Sequence, residues 1–266
     1  MAWKDVSSEG LNQSKLKMYQ RCPKQYEFVY VKGLRRPPNL KLTVGTAVHK
    51  GIEVNYAQKV KTKRDCKKDV VLDATRDGFK EAVKKDEIKA GKLELGKFQD
   101  EAIIMADKYH DVAAPTLQPI VKPEYYFEIP IEGAKRPFYG TIDLVAQYFK
   151  KNGSLVVSDT KTTRRAYDRK RVDVDLQLTA YVYAVKHAIK KVVKYAMFDT
   201  IVLTGAQAKS DQLLSTRSEA DLSRFKDTFR TIERGIQAGI FPPVDSEMIC
   251  SWCAFRRECL GARSWT

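Results

Sequence analysis

The chain has 266 residues, 43% of them hydrophobic, enough to bury the core of one large domain and too apolar for wholesale disorder. No apolar run reaches the length of a bilayer span, and the opening Met1-Ala2-Trp3-Lys4-Asp5 lacks the apolar stretch of a secretion signal, so a soluble cytoplasmic protein without a membrane partner is expected. Lys and Arg number 48 against 33 Asp and Glu, a net charge of +15, which favours a polyanionic partner because phosphate contacts release counterions.

Taken in chain order, Asn12 or Ser14 can cap a helix carrying Leu16 and Tyr19 that breaks near Cys22-Pro23, and Gly33 with Pro37-Pro38 marks a loop. Val44 to Gln58 is expected as a helix burying Val48, Ile52 and Tyr56, with His49 beside that stripe. Residues 59–114 are charged and mainly helical, with Phe79, Val83, the Ile103-Ile104-Met105 cluster and Tyr109 as core contacts; they are expected as a helical insertion within a single domain, 1–266. Three strand-like runs follow, Glu124 to Ile131, Phe138 to Phe149 and Ser154 to Lys161, separated by Gly133 and by the hairpin signal Asn152-Gly153. A helix from about Asp173 carries Leu178, Tyr181, Val182 and Val185 on one face, Tyr195 to Leu203 is a further strand, and Ser218 to Ala238 is a helix lined by Leu222, Phe225, Phe229, Ile232 and Ile236. Pro242-Pro243 ends regular structure before the last cysteines. The order describes an α/β fold, a small mixed sheet flanked by helices, with a helical elaboration.

The polar residues within those runs carry the chemistry. Side chains alternate along a strand, so Asp159 and Lys161 share a face, and a hairpin brings Asp143 alongside them. A surface salt bridge is the plain alternative, but a strand as apolar as Leu155-Val156-Val157 leads inward, where two acids and a lysine are costly without a task. Hard carboxylate oxygens suit Mg²⁺ or Mn²⁺, a lysine can orient attacking water, and the neutral imidazole of His49 is a further ligand for such ions. Gln177 and Tyr181 stand four apart on one helical face, within reach of the metal site or of a phosphate. Arg164, Arg165, Arg169, Lys170 and Arg171 begin three residues beyond Lys161, where a nucleic-acid backbone would enter.

Five cysteines in a reducing compartment are not a disulfide framework. Cys22, Cys250, Cys253 and Cys259 can hold a [4Fe–4S] cluster or, alternatively, zinc, with Trp252 and Phe255 packed around the ligands as a shield from water. Cys66, among basic residues, is expected as an unliganded surface thiol.

Gly45-Thr46-Ala47-Val48-His49, Gly140-Thr141-Ile142-Asp143, Asp159-Thr160-Lys161-Thr162 and Gln177-x-x-x-Tyr181 stand in the order of a known set of motifs. They are joined by Ser14-x-Leu16 through Tyr19-x-x-Cys22-Pro23-x-x-Tyr26 at one end and Cys250-x-x-Cys253-x5-Cys259 at the other. In this the chain resembles the RecB-like branch of the PD-(D/E)XK nucleases, and within it the iron–sulfur subgroup that includes AddB and the CRISPR-associated RecB-like exonucleases. The resemblance implies a restriction-endonuclease-like core. It implies a metal held by His49, Asp143, Asp159 and the Thr160 carbonyl, a catalytic Lys161, support from Gln177 and Tyr181, and a further acid at Glu124. It implies a [4Fe–4S] cluster on the four cysteines, with residues 240–266 as the cluster segment completed by Cys22. The second acid is Asp159 where Glu is commoner in the family. By that analogy the expected activity is metal-dependent DNA hydrolysis, as an exonuclease on single-stranded or frayed ends, with recombination or CRISPR-type proteins as partners. The alternatives are a non-cleaving DNA-binding accessory protein of the same fold and a zinc-stabilised structural protein.

Overall fold

The computed structural model describes residues 10–36 and 38–261; Met1 to Asp5 and Pro37 lie outside the described residues. The elements are α1 (Gln13–Arg21), α2 (Pro23–Tyr26) running into a π turn at Glu27–Val31, α3 (Leu40–Thr62), α4 (Lys68–Lys85), α5 (Lys92–Val112), β1 (Leu117–Ile129), β2 (Phe138–Tyr148), β3 (Ser154–Thr163), α6 (Arg169–Val174), α7 (Leu176–Ala188), β4 (Tyr195–Thr204), β5 (Gln207–Ser215), α8 (Glu219–Gln237), α9 (Glu247–Ser251) and α10 (Arg256–Leu260). Among the described residues no helix is long and apolar enough to cross a membrane.

The sheet has five strands in the order β1-β2-β3-β4-β5. β2 and β3 form an antiparallel hairpin, turned where Asn152 and Gly153 both take positive φ, 51° and 68°. β3 and β4 are parallel, which requires a crossover, and α6 with α7 supplies it. The helix expected from Asp173 is two helices: Asp175 breaks the run and caps α7, its carboxylate accepting the amides of Gln177 and Leu178. β5 closes the sheet antiparallel to β4 and is absent from the sequence expectations, because an edge strand as polar as Gln207-Ala208-Lys209-Ser210-Asp211 carries no apolar alternation.

The described chain divides into two compact units. One comprises residues 38–126 and 141–219. In it α3 buries Leu40, Val44, Val48, Ile52 and Tyr56 in one cluster with Phe79 of α4, Met105 and Tyr109 of α5, and Leu144, Val156, Met197 and Ile201 of the sheet. The helices of residues 59–114 therefore share their core with the strands. α3 and α4 touch through glycine: a Cβ on Gly51 would lie 2.2 Å from Thr75 Oγ1. The end of α3 is fastened by Lys59, whose buried ammonium donates to Asp65 at 2.9 Å and to the Ala114 carbonyl at 2.6 Å. That inward pull corrects the expectation for Cys66, which is buried rather than on the surface. Its amide donates to Asn55 Oδ1 at 2.7 Å, its carbonyl faces His110 Nε2 at 2.8 Å, and burial raises its thiol pKa.

The other unit comprises residues 10–36, 127–140 and 220–261. Phe138 meets Phe127, Phe225 and Phe229 at its centre, and the buried carboxylate of Glu233 accepts the amides of Lys135 and Arg136. Asn12 caps α1 through the Lys15 amide, and Tyr26 stacks on Phe241.

Candidate active site

The β2–β3 register runs from Tyr148↔Ser154 to Leu144↔Ser158. At the next residues a side chain replaces main chain as acceptor: the Asp143 carboxylate takes the Thr160 amide at 2.8 Å. His49, on α3, meets the same residue, with Nε2 3.0 Å from the Thr160 carbonyl and Nδ1 3.5 Å from Asp143 Oδ2. Glu124 of β1 completes the group, and ligand atoms of His49, Glu124 and Asp143 lie within 4.8 Å of one another. Glu124 holds a positive φ of 41°, an uncommon backbone state for a non-glycine residue and one that costs energy.

Asp159 stands next to this group, buried and engaged with α7. Its Oδ1 accepts Gln177 Nε2 at 2.6 Å and faces the Tyr181 hydroxyl at 3.4 Å, while Lys161 pairs with its other oxygen. Gln177 fixes the ammonium as well: its Oε1 accepts Lys161 Nζ at 3.0 Å, and its amide nitrogen reaches the Tyr181 hydroxyl at 2.9 Å. Each end of that amide therefore meets a partner of the right polarity. Phe198 lies beneath Lys161, the ammonium 5.3 Å from the ring centre. Side-chain alternation separates the two halves. Asp159 and Lys161 point to the α7 face, whereas Ser158, Thr160 and Thr162 point to the α3 and α5 face.

The electrostatics are those of crowded acids. Burial, then the charge of Asp143, pushes the Asp159 carboxyl up to about 6, against the pull of Lys161. Desolvation of its carboxyl and the charge of Asp143 push Glu124 up to about 7, although the residue as a whole stays exposed. Burial works to lower the Lys161 pKa, but the charges of Asp159 and Asp143 prevail and hold it above the ordinary lysine value. Burial, with Asp159 nearby, raises the Tyr181 hydroxyl as well.

The donor set fits a hard divalent cation. Both ring nitrogens of His49 face oxygen, Nε2 the Thr160 carbonyl and Nδ1 the Asp143 carboxylate, and a ring nitrogen without a proton offers its lone pair there. An imidazole nitrogen beside carboxylate and carbonyl oxygens suits Mn²⁺ or Mg²⁺. Glu124, not Asp159, is the second acid brought to His49 and Asp143 within that radius.

Asp199 is a buried acid beside the site that the sequence reasoning passed over. Asp199 is fully buried on β4, accepts Ser158 Oγ at 2.7 Å and faces the Tyr109 hydroxyl at 3.4 Å, which in turn contacts Tyr56 at 2.9 Å. Burial pushes it up to about 6 despite the bonds that favour its charged form. An aspartate inside the apolar run Met197 to Leu203 was the signal.

The remaining candidates divide. Arg165, Arg169, Lys170 and Arg171 are exposed, while Arg164 pairs with the buried Glu101. In the other unit, Cys22, Cys250, Cys253 and Cys259 line a single small cavity. Burial, then the neighbouring Cys22, Cys253 and Cys250, raises the Cys259 thiol. Phe255 is buried there against Phe28, but Trp252 is 89% exposed and shields nothing; it follows Ser251 at the end of α9, where the short helix turns its side chain to solvent.

The sequence matches the family profile described as the PD-(D/E)XK nuclease superfamily over residues 10–260. The crystal structure of a candidate exonuclease from Eubacterium rectale superposes with a TM-score of 0.59 at 13% identity, covering 100% of this chain and 94% of that one, a likeness of fold. A second crystal structure, of SSO0001, gives a TM-score of 0.34 at 15% identity over 84% of this chain and 86% of that one, too low to bear on the fold. No curated protein matches the sequence significantly.

The raised carboxyl of Asp199 makes stability depend on pH. Between the ordinary value of 3.8 and the folded value of about 6, the folded chain holds the extra proton, so the group's contribution is full below the lower value and lost as pH rises through the upper. In thermal unfolding of the metal-free protein, Asp199→Asn should gain on the parent as pH rises from about 4 to about 7. A difference that stays constant across that range contradicts a protonated Asp199.

Proposed function

The chain belongs to the PD-(D/E)XK nuclease superfamily, and from that premise we propose that it is a divalent-metal-dependent deoxyribonuclease acting as an exonuclease on single-stranded or frayed DNA ends. The observation that carries the reading is the convergence of His49, Glu124 and Asp143 within 4.8 Å, beside a lysine fastened to a buried acid. His49, Asp143 and the Thr160 carbonyl would hold Mg²⁺ or Mn²⁺, with Glu124 and Asp159 as the flanking acids. When bound, the ion supplies Lewis-acid charge to the phosphoryl oxygens and makes a water more acidic.

The chain's own residues do the positioning. Lys161 keeps its proton under the charges of Asp159 and Asp143, and so can donate to the attacking water and to the phosphate as negative charge builds there. Gln177 bridges Lys161 and Asp159, which removes the ammonium's rotational freedom before substrate arrives. Arg165, Arg169, Lys170 and Arg171, exposed just past Lys161, supply cations to the phosphate backbone.

The cysteines support placing the chain in the iron–sulfur subgroup of the RecB-like branch. Four thiols on one small cavity, where burial and the other three raise the thiol of Cys259, are a donor set that a cationic cluster relieves. A [4Fe–4S] cluster would tie Cys22 to a segment 250 − 22 = 228 residues later. Closing so long a loop restricts the unfolded chain by several kcal/mol, on the order of a disulfide spanning the same distance.

With Mg²⁺ or Mn²⁺, end-labelled linear single-stranded DNA should be degraded from its ends while circles persist. Asp143→Ala and Lys161→Ala should each lower the rate by at least about 10²-fold. Cleavage that survives both substitutions overturns the site, and cutting of circles overturns the exonuclease mode. Protein purified without oxygen should be brown and carry iron, and Cys250→Ser should lose the iron and unfold at lower temperature; a colourless, zinc-containing protein contradicts the cluster.

A further inference from the structure

A second concavity opens beside the candidate active site, its rim shared with the first two arginines of the basic run. It has a volume of about 410 Å³ and lies at the carboxyl ends of the parallel strands β3 and β4, where open α/β sheets commonly bind ligands. Its floor is apolar and buried: Val44 of α3, Met105 of α5 and Leu203 of β4. Its rim is cationic, with Lys41, Arg164 and Arg165 exposed to solvent. Glu101 is buried in the wall and tethered by Arg164.

The distance from the site follows from the backbone. His49 contacts the Thr160 carbonyl, and one helical turn earlier Gly45 meets Thr162, where an added Cβ would lie 3.1 Å from the threonine Oγ1. Four helical residues advance about 6 Å and two strand residues about 6.6 Å, so α3 and β3 leave the site in step. The cavity begins where that contact ends, at Val44 and Thr162.

Resting on the nuclease reading, we propose that this cavity receives one unpaired nucleobase of the DNA strand, next to the phosphate that is cut. The apolar floor suits the face of a base, and Lys41, Arg164 and Arg165 suit the phosphates on either side of it. The Glu101 carboxylate is an acceptor for an exocyclic amine at the base edge. A base in a duplex is stacked and paired and enters such a cavity only by being drawn out of the helix. The cavity therefore selects single strands by a feature separate from the catalytic group.

The test uses the unaltered protein with its cation and a series of labelled single-stranded oligonucleotides, each carrying one tetrahydrofuran abasic residue at a different position. Cleavage should slow by about tenfold or more at one phosphate, at a fixed offset from the missing base, and keep its rate elsewhere. Met105→Trp, which fills the cavity, should slow cutting of the intact strand and erase the contrast with the abasic series. Equal rates at every phosphate overturn the cavity's role and leave the nuclease reading standing. Failure to cut the intact oligonucleotide removes the nuclease reading and the cavity's role with it.

Discussion

Where the β2–β3 ladder reaches Leu144 and Ser158, the Asp143 carboxylate takes over from the main chain and accepts the Thr160 amide at 2.8 Å. That bond holds the amide of Thr160, and the carbonyl of the same residue is presented to His49 on α3. The rest of the site is built outward from this residue. Side-chain alternation along β3 sends Asp159 and Lys161 to α7, where Gln177 and Tyr181 meet them, and sends Thr162 to α3, where Gly45 meets it, while His49 meets the main-chain carbonyl of Thr160. A strand shifted by one residue would exchange the two faces and dissolve both sets of contacts.

The arrangement concentrates like charge. Burial and the charge of Asp143 raise the carboxyls of both Asp159 and Glu124, and the pull of Lys161 on Asp159 does not offset them. Such a cluster costs stability in the metal-free chain and is relieved by a cation, which couples ion binding to the order of the site. The positive φ of Glu124 is a second cost borne at the same place. The hydrophobic cluster that joins α3, α4 and α5 to the sheet opposes both costs, since it fixes the helix that carries His49.

Much of this geometry was legible in the sequence because it follows from periodicity. The two-residue alternation alone places Asp159 with Lys161, the four-residue helical step places Gln177 with Tyr181, and both pairs meet in the structure. The mixed α/β fold followed from the order of apolar runs. What stayed hidden depends on long-range contacts or on polar edges. β5 has no apolar alternation, and Asp175 splits a helix that periodicity joins. Cys66 is drawn inward by a lysine whose own burial no local pattern announces, and Trp252 turns outward although its neighbours line a cavity.

The central claim is that one cation sits between His49, Asp143 and the Thr160 carbonyl. A crystal of the protein grown with Mn²⁺ and recorded at the manganese edge tests it without recourse to activity. An anomalous peak at about 2.1 Å from the His49 ring nitrogen, the Asp143 carboxylate and the Thr160 carbonyl is the expected result. A fully loaded crystal whose manganese lies elsewhere, with His49 still bonded to the bare Thr160 carbonyl, would contradict it.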